Sequence, residues 1–175
     1  IGGARSGKSD YAQQMALDLN EAVVFVATAE AGDDEMKKRI EAHRKSRPST
    51  WQTIETTSHI GRRIAISISE GQTVIIDCIT LLVNNVFQRH DETTEAEIIE
   101  SDVMSEINEL VYCIEQSSAR FIIVTNEVGL GLVPGDRVSR LYRDVLGRAN
   151  QRLAKCSDEV YLMVAGIPVT VKSAG

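Results

Sequence analysis

GGARSGKS, the stretch from Gly2 to Ser9, follows the pattern G-x-x-x-x-G-K-[ST]. Its glycines allow backbone N–H groups to turn inward around a phosphate, and the positive end of a following helix strengthens the attraction. The lysine of such a loop, here Lys8, reaches the β- and γ-phosphates, and the serine hydroxyl, here Ser9, ligates Mg²⁺. The alternative is a glycine turn without a ligand, but the helical pattern that follows favours a phosphate-binding loop, or P-loop.

Outward from the P-loop, apolar runs of strand length alternate with stretches of helical periodicity. AVVFVAT at 22–28, TVIID at 73–77 and RFIIVT at 120–125 are continuous apolar runs, which are typical of strands buried on both faces. Helices are predicted at 9–20, 33–47, 58–69, 81–88, 95–116 and 136–156, and a short strand at 51–55. The alternation predicts an α/β fold with a mostly parallel sheet and helices on both faces.

The two ends of the chain extend this prediction. Strands at 159–164 and 168–172, with Gly166 as the turn residue between them, predict an antiparallel hairpin at one edge of the sheet. A buried strand normally leads into a P-loop, so we expect that strand to lie before residue 1 of this numbering. Residues 1–175 are predicted to form a single nucleotide-binding domain.

Composition narrows the class of protein. The 175 residues are 43% apolar and 25% charged, the balance of a soluble globular domain, with a net charge of −6 that disfavours nucleic acid as a partner. No apolar run approaches the roughly 18 residues needed to span a membrane. Cys78, Cys113 and Cys156 form no C-x-x-C pair and no metal spacing, which indicates reduced thiols and a cytoplasmic location.

Polar residues follow two of the predicted strands at the edge where a ligand would bind. Asp77 ends the TVIID strand and is expected to hold the Mg²⁺ shell of the P-loop site, although an N-cap role in the next helix stays open. Asn126 and Glu127 follow RFIIVT and are expected to face the same site. GTPases that read guanine carry N-K-x-D there, and its absence from TNEV argues against a signalling GTPase.

The predicted helix at 33–47 reads DDEMKKRIEAHRKSR. Acidic residues begin it and basic residues end it, which suits the helix dipole, so a solvated surface helix is one interpretation. The other starts from His43, which is followed by Arg44, Lys45 and Arg47. An imidazole beside a bound triphosphate could attack its α-phosphorus and form a covalent phosphoramidate. The residues alone leave both interpretations open.

Taken together, these motifs resemble the family of bifunctional adenosylcobinamide kinases / adenosylcobinamide-phosphate guanylyltransferases of cobalamin biosynthesis. The matching segments are GGARSGKS at 2–9, ATAEAGDDEMKKRIEAHRKSRP at 27–48, W-x-T-x-E at 51–55, IIDCIT at 75–80, VTNEVGLGLVP at 124–134 and GRANQRLAKCSDEVYLMVAGIPVTVK at 147–172. They occur in the family's order over nearly the whole chain. The segment TNEVG-x-G-x-VP is specific, since generic P-loop kinases lack it.

The resemblance implies a RecA-like P-loop domain with two activities. One phosphorylates the aminopropanol hydroxyl of adenosylcobinamide with ATP or GTP. The other transfers GMP from GTP to adenosylcobinamide phosphate, releasing pyrophosphate and giving adenosylcobinamide-GDP. The family carries out the second reaction through a guanylylated histidine in R-I-x-x-H-x-x-x-R-P, which here spans Arg39 to Pro48 and makes His43 the expected nucleophile. The family's homotrimer, in which the nucleotide helix meets a neighbouring subunit, is implied as well.

The resemblance also carries over a set of site residues. His43 and Lys8 are the expected catalytic residues, and Ser9 and Asp77 the expected metal ligands. The expected nucleotide-binding residues are Gly2, Gly3, Ala4, Arg5, Ser6, Gly7, Lys8, Ser9, Ala27, Thr28, Ala29, Arg44, Lys45, Ser46, Arg47, Glu55 and Asp77. Two other hypotheses remain: a P-loop kinase with a single activity and no covalent intermediate, and a non-catalytic nucleotide sensor.

Overall fold

The computed structural model describes residues 1–30, 34–45, 47–91 and 93–175, and of residues 35, 36 and 39 only the backbone. Four parallel strands form the main sheet in the order β2-β1-β3-β4. They are β1 (Ala22–Ala27), β2 (Gln52–Glu55), β3 (Gln72–Asp77) and β4 (Arg120–Val124). Ala27 is in register with both Glu55 and Asp77, and Asp77 with Val124, so the carboxyl ends of all four strands lie in one row.

Six helices surround the sheet: α1 (Lys8–Leu19), α2 (Asp34–Lys45), α3 (Ile60–Ala65), α4 (Ile79–Phe87), α5 (Ala96–Gln116) and α6 (Arg137–Cys156). Alternate strand residues bury opposite faces, since Val24 and Val74 pack with α3 to α6, whereas Val23 and Ile75 pack with α1. Both faces of each central strand are therefore apolar, which explains the continuous apolar runs. The predicted α/β fold is confirmed.

A two-stranded antiparallel hairpin completes the fold, with β5 at Val160–Val164 and β6 at Ile167–Lys172. Val164 pairs with Ile167, and the two residues between them, Ala165 and Gly166, have φ angles of 51° and 83°. Positive φ at both central residues is what a type I′ turn requires, so the predicted hairpin and its turn glycine are confirmed.

The start of the described chain lies between the sheet and the hairpin. Gly2 forms parallel bridges to Asn126, after β4, and to Met163 in β5. Its carbonyl accepts from the Glu127 N–H at 3.0 Å, and the Ile1 carbonyl accepts from the Met163 N–H at 2.8 Å. Ile1 and Gly2 thus pair on both sides as strand residues do, and the strand expected before residue 1 stays a prediction.

One predicted helix differs from the structure in its bounds, and one open alternative is excluded. The helix predicted at 58–69 is only Ile60–Ala65, because His59 takes a left-handed conformation at its start and the Ser67 hydroxyl donates back to the Arg63 carbonyl at its end. The N-cap of α4 is Cys78, so the capping interpretation of Asp77 is excluded. Asp33, the first residue of the helix predicted at 33–47, lies outside the described residues.

Candidate active site

A cavity of about 550 Å³ opens at the carboxyl ends of β1, β3 and β4, within the usual size range of small-molecule sites. Residues 4–10 form one wall, and Asp77 and Asn126 contribute from the strand ends. His43 and Arg47 contribute from α2 and the residues just after it. The parallel register and the P-loop thus bring together residues that are distant in the sequence.

The P-loop holds an anion-binding shape through its backbone. Gly7 has a φ of 89° and is the N-cap of α1, and Arg5 also has a positive φ, of 56°. The Tyr11 N–H donates to the Gly7 carbonyl at 3.0 Å, which begins the helix directly after the loop. The Lys8 ammonium donates to the Gly3 carbonyl at 2.5 Å, so it lies back along the loop. The N-terminal dipole of α1 and the Lys8 charge therefore face the same cavity.

Asp77 lies at the end of β3, with its neighbour Cys78 fixed by a buried threonine. The Thr28 hydroxyl donates to the Cys78 carbonyl at 2.7 Å and accepts from the Cys78 N–H at 2.9 Å. Thr28 is fully buried, so its side chain does not line the cavity, although it was expected at the nucleotide. Its neighbours Ala27 and Ala29 do line the cavity. Thr28 links the end of β1 to the end of β3 and thereby holds the segment that carries Asp77.

His43 and Arg47 are the two basic residues of the 33–47 segment that line the cavity among those described. The Arg47 guanidinium lies over the Phe25 ring, with Cζ 3.6 Å from its centroid. Its Nε is buried without a hydrogen-bond partner among the residues that the structure describes. Burial lowers the pKa of Arg47, whereas the carboxylates of Asp77 and Glu55 act in the opposite direction. Arg47 therefore offers a desolvated cation to the cavity.

Other residues of the expected nucleotide set lie outside the cavity lining. Arg44 and Glu55 form an exposed ion pair at 3.9 Å, with side chains 71% and 61% exposed. Lys45 is exposed on α2, Gly2 and Gly3 precede the lining part of the loop, and Ser46 lies outside the described residues. His43 and Arg47 thus line the same cavity as the P-loop. Arg44, Lys45 and Glu55 do not line it.

Sequence reasoning missed a polar network behind the cavity floor. Thr80 lines the cavity, and its hydroxyl accepts from the Asn126 N–H at 2.8 Å. Asn150 donates to the Asn126 carbonyl at 3.1 Å, and the Tyr142 hydroxyl donates to the Thr80 carbonyl at 2.9 Å. Burial raises the pKa of Tyr142 well above its usual range. The available signal was Asn150 itself, one polar residue on the apolar face of α6 beside Ala149.

Cys78 also lines the cavity, as a free thiol. Burial raises its pKa to about 11, and the adjacent Asp77 carboxylate acts in the same direction. The thiol is therefore protonated at neutral pH and is not an activated nucleophile.

Within the described residues, no helix combines the length and apolarity needed to cross a membrane.

Comparison with known proteins identifies the family of this fold and site. The family model described as cobinamide kinase / cobinamide phosphate guanyltransferase matches residues 1–171. The bifunctional adenosylcobalamin biosynthesis protein CobU of Escherichia coli (strain K12) is 38% identical over 98% of this chain and 97% of its own. CobP of Pseudomonas aeruginosa, with the same description, is 37% identical over 98% of this chain and 95% of its own. This chain therefore belongs to the cobinamide kinase / cobinamide phosphate guanyltransferase family.

Proposed function

We propose that this protein is a bifunctional transferase that phosphorylates adenosylcobinamide and then transfers GMP from GTP to adenosylcobinamide phosphate. The observation that carries the proposal is that Lys8 of the P-loop and His43 of α2 line one cavity. A kinase with a single activity needs only the first of these groups. Membership of a family described by both activities favours the bifunctional transferase over that kinase and over a nucleotide sensor.

In the kinase reaction, the P-loop binds the triphosphate of ATP or GTP. Backbone N–H groups at residues 4–9 and the N-terminus of α1 surround the β-phosphate, and Lys8 turns from Gly3 towards the γ-phosphate. The aminopropanol hydroxyl of adenosylcobinamide attacks the γ-phosphorus, and its proton passes to solvent. The bond from the γ-phosphorus to the β–γ bridging oxygen breaks, and the nucleoside diphosphate leaves. These residues act by holding the phosphates in line and by compensating charge.

In the guanylyl reaction, the same loop holds the β- and γ-phosphates of GTP while His43 acts as the nucleophile. An imidazole nitrogen forms a bond to the α-phosphorus, the bond from that phosphorus to the bridging oxygen breaks, and pyrophosphate leaves. A phosphate oxygen of adenosylcobinamide phosphate then attacks the guanylylated histidine, which restores His43 and gives adenosylcobinamide-GDP. Arg47 supplies positive charge beside the phosphates in both steps.

Ser9 and Asp77 fit a Mg²⁺ ion, because both line the cavity and offer oxygen ligands, which this ion prefers. When bound, Mg²⁺ would neutralise part of the charge on the phosphate oxygens. Thr28 supports this site from behind, through its two hydrogen bonds to Cys78.

The proposal extends to the remaining expected features. Arg44, Lys45, Ser46 and Glu55 are proposed as further nucleotide-binding residues because the family resemblance carries them over; in the structure Arg44 and Glu55 form an exposed ion pair. The cytoplasm is the proposed location, and a homotrimer is the proposed assembly, with α2 near a neighbouring subunit. Sedimentation velocity of the purified protein tests the assembly.

The decisive experiment follows the covalent nucleotide. The protein is incubated with Mg²⁺ and GTP labelled on the α-phosphate, then denatured, and protein-bound label is measured after acid and after base. We expect acid-labile, base-stable label in the wild type and in His59→Asn, and none in His43→Ala. His59 is the matched control because it is an exposed histidine outside the cavity lining. Wild type that phosphorylates cobinamide but takes up no label would leave only the single-activity kinase.

A further inference from the structure

The turn of the C-terminal hairpin touches the P-loop. The Gly166 N–H donates to the Ser6 carbonyl at 3.0 Å, across 160 residues of sequence. At the other end of the loop, the Met163 N–H donates to the Ile1 carbonyl at 2.8 Å. A Cβ built on Gly2 would lie 2.7 Å from the Met163 carbonyl oxygen. The hairpin therefore runs along the outer side of the P-loop at backbone-to-backbone distance.

The contact fixes one peptide group of the phosphate cradle. A trans peptide is planar, and its C=O and N–H point in opposite directions. Because the carbonyl of Ser6 points at Gly166, the N–H of Gly7 in the same peptide points away from the hairpin. Gly7 lines the cavity, so an N–H that points away from the hairpin is available to a phosphate bound there.

Close packing at the turn reinforces this orientation. A Cβ built on Gly7 would lie 3.0 Å from the Gly166 Cα, and Gly7 itself has a φ of 89°. Both the backbone angle and the adjacent turn thus exclude a side chain at position 7. The hairpin turn itself depends on the left-handed backbone conformation of Ala165 and Gly166.

We propose that the backbone N–H of Gly166 is a positioning group for phosphate binding, which acts by holding the Gly7 N–H aimed at the triphosphate. This rests on the proposed use of the P-loop. Without the Gly166 contact, the Ser6–Gly7 peptide can rotate, and the cradle must be ordered again each time a nucleotide binds. The hairpin is then part of the nucleotide site although none of its side chains need touch the nucleotide.

The first test compares two glycines with the same local geometry. Gly166 and Gly71 both have positive φ, of 83° and 73°, and neither has an atom within 4 Å of a built Cβ. Gly71 lies before β3, at the end of the sheet opposite the cavity. A β-branched residue is strained at positive φ, so Gly166→Val and Gly71→Val should lose similar stability. We expect the dissociation constants of GTP and of inorganic triphosphate, measured by calorimetry, to rise about tenfold only in Gly166→Val.

The second test removes the N–H alone. Cys156 allows a synthetic segment 156–175 to be ligated to an expressed segment 1–155, and an ester can replace the amide at position 166. The controls are the ligated chain with all natural amides and one with an ester at Gly175. We expect the same roughly tenfold loss of triphosphate affinity, with a KM for GTP that rises more than kcat falls.

The outcomes separate this inference from the proposed function. The proposed role of Gly166 is overturned if either variant binds GTP within twofold of its matched control and Lys8→Ala still abolishes binding. If Lys8→Ala bound GTP as tightly as the wild type, the P-loop proposal itself would fail, and this inference with it.

Discussion

The P-loop and helix α2 form two walls of one cavity, but they are held in different ways. The P-loop is fixed by backbone hydrogen bonds to residues 126–127 and to the hairpin. Most of the described side chains of α2 are exposed, and the ion pair that Arg44 forms with Glu55 of β2 is exposed as well. Arg47, just after the helix, packs on the Phe25 ring.

This difference suggests that the two reactions depend on the two walls to different degrees. Phosphate binding requires donors in fixed positions, and a wall built from backbone contacts supplies them without reorganisation. If His43 attacks the α-phosphorus as proposed, its imidazole must approach that atom, and a helix whose described side chains are mostly exposed can adjust to that approach. We therefore expect substitutions in the P-loop wall to affect both activities, and substitutions in the α2 wall to affect mainly guanylyl transfer.

The largest effect is expected for Lys8→Ala, which removes the charge that we propose both reactions share. Kinase and guanylyltransferase rates should each fall on the order of 10²–10³-fold, as when one preorganised charge-stabilising donor is lost. Both rates are measured with saturating acceptor, and Lys37→Ala, on the exposed side of α2, serves as the control. Full kinase activity in Lys8→Ala would refute a cradle shared by the two reactions.

Thr28→Val tests whether the site depends on the contact between the ends of β1 and β3. The variant keeps the shape of the side chain but removes the hydroxyl that pairs with both the N–H and the carbonyl of Cys78. Leaving these groups unpaired should lower the free energy of unfolding by about 1–3 kcal/mol and reduce both activities, because Asp77 precedes Cys78. Urea titration gives the stability, and Thr28→Ser, which retains the hydroxyl, should recover most of the activity lost in Thr28→Val.

Arg47→Lys weakens the attachment of the α2 wall to the sheet. A lysine retains the charge but loses the planar guanidinium that lies over Phe25. Guanylyl transfer should fall about 3- to 30-fold, the range of a desolvated cation–π contact, and the kinase rate should fall less. The ratio of the two rates is the measurement, with Arg120→Lys at the far end of β4 as the control. Equal losses in both reactions would show that the two walls act as one unit.

The smallest effect is expected from the Cys78 thiol, whose titration measures how far burial at the end of β3 raises its pKa. Because burial raises its pKa to about 11, the folded protein retains a proton that the unfolded chain releases above its usual pKa near 9. The free energy of unfolding should therefore fall as the pH rises from 9 to 11, by about 1 kcal/mol at pH 10. In Cys78→Ala, the free energy of unfolding should fall by about 1 kcal/mol less at pH 10 than in the wild type. Identical pH dependence in the two proteins would mean that the thiol titrates as if exposed.

Local sequence patterns predicted the elements of the fold and part of the site. The apolar runs at 22–28 and 73–77 identified the buried strands because alternate residues face different cores. The glycine pattern at 2–9 identified the P-loop, and position at a strand end placed Asp77 in the cavity. The predicted strands are confirmed because each depends on a short stretch of chain, whereas nucleotide binding by the P-loop and by Asp77 stays a prediction.

The roles of Thr28, Asn150 and Gly166 depend on neighbours that are 50, 24 and 160 residues away. Strand register brings Thr28 to Cys78, and helix packing brings Asn150 to Asn126, so no local pattern reveals either contact. The same limit explains why the basic cluster at 44–47 was treated as a unit. Only the structure separates Arg47, which packs on Phe25, from Arg44, which is exposed beside Glu55.

The pairing of Ile1 with β5 has a consequence for how the protein is made. A ribosome produces the P-loop at residues 2–9 well before the hairpin at residues 160–172, at about 5–20 residues per second. Until residues 160–172 leave the exit tunnel, the outer side of the loop has no partner strand, and the Ser6 carbonyl has no donor from Gly166. During the synthesis of residues 10–159 the growing chain therefore carries the phosphate-binding motif of residues 2–9 without its hairpin contact. We therefore expect the affinity of this loop for nucleotide to reach its full value only after the hairpin has formed.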